Sequence, residues 1–157
     1  MLFPPKISCS KLILSKQLKH LVEKTLGKKF DDIKEQGPAI VEFTDNQNNE
    51  ITVPHFTAHP SRDAISVFRP LRKPLHWDNG FFKLFSCSHH QTQEQFETAE
   101  NKDAHEIIVE PNEILVVAGG VFVQPSPKGG GRMVYQGFSR RIMGQNIYSP
   151  LALPFMI

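Results

Sequence analysis

The feature that most constrains this chain is a train of short apolar stretches, each closed by turn residues. From Pro38 onward the order is AIVEFTD, EITVPHF, AISVFRPL, GFFKLFSCS, HEIIVE, EILVVAGGVFVQ and RMVYQGF. Apolar positions recur at a period near two, and β-branched and aromatic residues dominate, which is strand chemistry. NQNN joins the first two stretches and predicts a hairpin, PNE joins HEIIVE to EILVV, and PSPKGGG separates the last two. A run of such strands with short turns cannot bury its apolar faces in one open layer. It predicts a double sheet, a β-sandwich or jelly roll, over about residues 38–141.

Two helices flank or interrupt the strands. Residues 11–26 carry Leu14, Leu18, Leu21, Val22 and Leu26 on one stripe, with Ser10 as cap and Gly27 as stop. Thr92 and Gln95 have capping-box spacing and predict a short helix inside the polar run QTQEQFETAEN. The apolar, Pro-rich end, residues 142–157, predicts an extended strap packed on the body, through which a homo-oligomer could form. At 157 residues, and without an internal repeat, the expectation is one domain.

Composition narrows the function classes. A charged fraction of 22% beside 39% hydrophobic residues is that of a soluble fold, and a net charge of +2 without a basic block excludes nucleic acid from the expected partners. No apolar run is long enough to cross a bilayer, so no membrane role is expected, and MLFPPKISCS lacks a secretory apolar core. A cytoplasmic setting is the default. The two cysteines, Cys9 and Cys87, are no disulfide framework, and Cys87, on an apolar strand face, is expected to be a buried thiol.

From Asp63 to Gly137 the order of features resembles the phytanoyl-CoA dioxygenase-like family of 2-oxoglutarate and Fe(II) oxygenases. DNGFFKLFSCSHH matches an Asn-Gly turn, a strand and a terminal Ser-His, through Asp78, Asn79, Gly80, Ser88 and His89. VEPNEILVVAGG matches the turn into an apolar strand, and GGGRMVYQGF the strand that carries the oxoglutarate-binding Arg, here Arg132. The resemblance implies a cupin-like double-stranded β-helix. It also implies Fe(II) and 2-oxoglutarate as cofactors of any active member, and makes His89 and His90 structural or rim residues. The family holds iron with an HxD pair and a distal His, a facial triad with open positions. Here GGVFVQPSP has no His in the distal stretch, leaving Gln124 as its only useful side-chain oxygen, and the proximal candidates His59 and Asp63 stand at HxxxD spacing.

Each candidate has a plainer alternative. His59 and Asp63 are a displaced metal pair, or a loop His beside a strand-starting Asp. His76 and Asp78, with His89 or His105, have metal-ligand residue types, but Asp-Asn-Gly also reads as turn chemistry in which Asp78 bonds backbone. Arg132, alone in an apolar strand, either points into the hollow between the sheets as an anchor for an acidic molecule or lies exposed on a strand edge. One of Arg140 and Arg141 could share that role, since adjacent strand residues point to opposite faces. Trp77 either lines a pocket mouth or packs in the core. Gly129–Gly131 lack the Lys-Ser/Thr and the helix of a phosphate loop and read as a hairpin loop. The leading expectation is a jelly roll with an incomplete triad that binds a small acidic or apolar molecule at Arg132, Gln124 and Trp77. An active oxygenase with a displaced iron site and a protein-interaction module are the alternatives.

Overall fold

Val41, Phe68, Phe81, Phe82, Val117, Val123, Met133 and Tyr135 are far apart in the sequence, yet all enter one buried apolar cluster. Two sheets and the loops between them bring these residues together. The computed structural model describes residues 16–45, 55–59, 61–100 and 102–140. Within them the chain is mainly β. The strands are β1 (Ile33–Glu42), β2 (Phe56–Thr57), β3 (Ala64–Pro70), β4 (Lys83–Phe85), β5 (Ala104–Glu106), β6 (Leu115–Ala118), β7 (Phe122–Gln124) and β8 (Arg132–Arg140). One four-stranded sheet has the order β1-β8-β3-β6 and the other β2-β7-β4-β5. Every named pair is antiparallel.

Strand parity sets the layers. In β8, Met133 and Tyr135 face the second sheet, while Phe138 faces the other way. In β3, Phe68 points inward, and Ile65 and Val67 point outward. Helix α1 (Lys16–Leu26) covers that outward face with Leu18, Val22 and Leu26. Arg140 finishes the helix by donating from Nε to the Leu26 carbonyl at 2.9 Å. A cation there also suits the negative end of the helix dipole. On the outer face of the second sheet, α2 (Gln93–Thr98) docks through Phe96, which stacks on Phe122 at 4.1 Å and meets Phe85 edge-on at 4.9 Å.

The inserted helix begins as expected. Gln95 N–H donates to Thr92 Oγ1 at 3.2 Å, and Thr92 N–H donates to Gln95 Oε1 at 2.8 Å. The hairpin expected around NQNN lies outside the described residues, which leave out 46–54. On either side of that gap, AIVEFTD supplies the end of β1, which pairs with β8, and Phe56 of EITVPHF opens β2, which pairs with β7. β1 also starts earlier than expected, because Ile33 to Gln36 pair with β8 before a register shift across Gly37-Pro38. Ser10, Leu14, Arg141 and the expected strap 142–157 lie outside the described residues.

At the turn into β4 the expectation about Asp78 is also corrected. Asn79 braces the turn. Its Oδ1 accepts from His76 N–H at 3.0 Å, and its Nδ2 donates to the Pro74 carbonyl at 2.7 Å, while the exposed Asp78 pairs with Lys128. Gly80 has φ +104, and a Cβ there would stand 2.3 Å from Phe43 Cβ. The turn therefore requires glycine for both conformation and space.

Candidate functional site

His59 ends the segment after β2 and is almost wholly buried, at 2% exposure. Its backbone is fixed by a bond from its N–H to the Gly119 carbonyl at 3.0 Å. Ser61 N–H donates to its Nδ1 at 2.9 Å, which puts the ring proton on Nε2. That Nε2 faces Gln36 Oε1 at 3.1 Å and donates to it. Burial pushes the imidazole below its usual range, so the neutral form is held. Beside it, Ser66 Oγ donates to the Ala58 carbonyl at 2.6 Å and lies 3.4 Å from Tyr135 Oη, whose phenol burial pushes up.

This arrangement answers whether iron fits. A metal-ligating imidazole must offer a ring lone pair. The Nδ1 lone pair of His59 is engaged by Ser61, and its Nε2 carries the proton. Asp63, the expected partner, is exposed, and its backbone carbonyl accepts from Arg140 N–H at 3.2 Å. Among the described residues no three His, Cys, Asp or Glu side chains converge as a metal site. His59 and Asp63 therefore do not fit the expected iron pair. In this fold His59 is a satisfied interior polar group.

Arg132 corrects a second expectation. Met133 and Tyr135 take the inward parity of β8, so Arg132 starts the strand on the opposite face. Its side chain is 58% exposed and bonds Glu42 through Nη2 at 2.8 Å. Gln124 is likewise turned away from the hollow by the inward Val123, and its register partner is Lys83. The Lys83 ammonium sits 4.3 Å from the centre of the Trp77 ring and 2.8 Å from Glu106. Gln124, Lys83 and Trp77 thus belong to the outer face of the second sheet, and none of them lines the hollow.

The hollow itself is at the other border. A cleft of about 400 Å³ lies where edge strand β6 of one sheet parts from β4 and β5 of the other. Leu84, Ile107, Val117 and Val121 form its apolar wall, and Ser86, Cys87 and His105 supply the polar groups around it. Its residue types are those of a small-molecule site: apolar walls with a few polar groups to orient the guest. Cys87, expected to be buried, is exposed with φ +57, because β4 stops at Phe85 and its alternation stops there too. His105 is an exposed rim residue 3.1 Å from Asp103.

His89 and His90 are exposed and face each other, with ring centres 3.7 Å apart, in a single helical turn after β4. The residue that builds this corner is Ser88. Its buried Oγ donates to the Phe85 carbonyl at 2.7 Å and accepts from Phe122 N–H at 2.9 Å. A second, smaller recess of about 310 Å³ lies at the start of β8, lined by Glu42, Leu71, Arg72, Lys73, Gly130 and Arg132. Neither recess was legible from motifs, because each is assembled from segments distant in sequence. No family model matches the chain, and no curated protein matches it.

Proposed function

We propose that this protein is a jelly-roll binding protein that takes a small, mainly apolar molecule into the cleft between β6 and the β4–β5 edge. The observation that carries the reading is the cleft itself: about 400 Å³ of concave, apolar-walled space with three polar side chains around it. That volume lies within the range of small-molecule sites, roughly 300–1,000 Å³. Apolar burial drives entry, and Ser86 or His105 orients one hydrogen-bonding group of the guest.

The jelly-roll reading is supported by the strand pairs. β1–β8, β2–β7, β3–β6 and β4–β5 nest like one long antiparallel ribbon. The added pairs β3–β8 and β4–β7 are those expected when such a ribbon is rolled into two sheets. The same topology supports kinship with the double-stranded β-helix oxygenases. Binding is proposed over oxidation because His59 has no ring lone pair to give a metal.

Cys87 supplies the test. In a Cys9→Ser background, a thiol-reactive chromophore should modify Cys87, and the neutral probe N-phenyl-1-naphthylamine should bind with enhanced fluorescence and slow that modification. Val117→Trp, which fills the cleft, should remove both effects. A probe that binds equally well to Val117→Trp, or leaves the Cys87 rate unchanged, rejects this site.

A further inference from the structure

We infer that the recess at the start of β8 is a second binding site, one for a phosphate-bearing anion, separate from the apolar cleft. Three cationic side chains, Arg72, Lys73 and Arg132, line it with a single carboxylate, Glu42. Glu42 bonds Arg132 through one guanidinium nitrogen. Among the described residues, no acid lies within ion-pair distance of Arg72 or Lys73. Cations gathered on one concavity repel one another, and a bound anion relieves that repulsion.

The backbone builds the cluster. Leu71 N–H donates to the Arg132 carbonyl at 2.9 Å, tying the turn after β3 to the first residue of β8. Lys73 N–H then donates to the Leu71 carbonyl at 2.9 Å, closing a three-residue γ-turn centred on Arg72. Arg72 has φ +71, a left-handed conformation that a bulky side chain adopts at a cost and glycine adopts freely. Strained backbone of this kind concentrates at ligand clamps. The turn aims two successive cations, Arg72 and Lys73, at the space that Arg132 reaches from the strand. Across the recess, Gly130 has φ +103, and a Cβ there would meet nothing within 4 Å, so that wall is open.

The recess suits phosphate better than carboxylate. A planar carboxylate is matched by one guanidinium fork, whereas a phosphoryl group offers three oxygens and up to two negative charges. Two guanidiniums and an ammonium approaching from two elements match the second pattern. A volume of about 310 Å³ accommodates a diphosphate or a small phosphate ester.

The experiment uses the whole chain, with pyrophosphate as probe, followed by amide chemical shifts and calorimetry at low salt. Pyrophosphate should shift residues 71–73 and 130–132 and bind more tightly than oxoglutarate. Arg72→Gly should raise the melting temperature by relieving the γ-turn, yet weaken pyrophosphate binding about threefold to fivefold, the upper range for an exposed charge pair. Arg132→Gln should weaken it similarly, and Glu42→Gln should tighten it. Lys34→Gln, outside the recess, should change nothing. Vesicles containing phosphatidic acid form a second arm. Capture of the protein by vesicles, lost in Arg72→Gly, would assign the phosphate to a lipid headgroup, and no capture would assign it to a free ester. Equal weakening by Lys34→Gln, tighter binding of oxoglutarate, or unchanged binding in Arg72→Gly overturns the inference. The Val117→Trp variant keeps this site, so its result is independent of the apolar cleft.

Discussion

At the scale of single residues, His59 makes stability depend on pH. In the folded chain burial lowers its affinity for a proton, while in the unfolded chain it returns to the ordinary value of about 6.5. Below that value the unfolded chain binds more protons than the folded one, so acid favours unfolding. Stability from this group is therefore full above about pH 6.5, declines as pH falls through the window beneath it, and levels off below the lowered folded value. His55, lowered by burial and then by the Lys102 charge, adds in the same direction. Urea midpoints at pH 7.5 and pH 5.5 should differ, the lower pH being less stable, and His59→Gln should shrink the difference. An unchanged difference would show that His59 is not the group responsible. The sequence singled out His59 but left two roles open for it, metal ligand or plain loop histidine. It showed an imidazole near an acid, whereas the role turned on which ring nitrogen carries the proton, and Ser61 and Gln36 decide that through tertiary contacts.

At the scale of elements, the start of α2 was legible because its signal is local. Thr92 and Gln95 satisfy each other within one turn, so no distant partner is needed. Strand existence was legible through alternation, but strand pairing was not. Ile33 finds Arg140 and Phe56 finds Val123 across much of the chain, and no turn residue encodes such a partner. The facing of β8 was illegible for a related reason. RMVYQGF is apolar at both parities because the core covers one side and α1 the other, so the direction of Arg132 followed only from register. Docking of α2 rests on Phe96, stacked on Phe122 and edge-on to Phe85. Phe96→Ala should cost about 3–5 kcal/mol, the usual range for emptying a buried aromatic site, read as a fall in urea midpoint at constant slope. Thr92→Ala, which removes only the cap, should cost about 1 kcal/mol. Equal costs would mean that the cap rather than the aromatic stack secures the helix.

At the scale of the whole molecule, the strand pairing dictates how the chain folds. β8 pairs with both β1 and β3, so the last described strand is one of the two central strands of the first sheet. That sheet is not complete until β1 and β8, distant in sequence, meet, and closing such long loops has an entropic cost before the contacts form. All-β topologies of this kind fold in roughly milliseconds to seconds. The refolding of this chain belongs in that range and should be followed by the single tryptophan, Trp77, whose ring lies under the Lys83 ammonium. Two substitutions then separate early contacts from late ones. Met133→Ala opens a cavity in the inter-sheet core at the strand that joins β1 to β3, so its destabilisation should appear mainly as slower folding. Phe96→Ala loosens a peripheral helix that docks on a sheet already formed, so its destabilisation should appear mainly as faster unfolding. Denaturant-dependent folding and unfolding rates of the two variants measure the division directly. If Met133→Ala accelerated unfolding and left the folding rate unchanged, β8 would be a late addition. The sheet would then have to nucleate on the shorter-range pair β3–β6 instead.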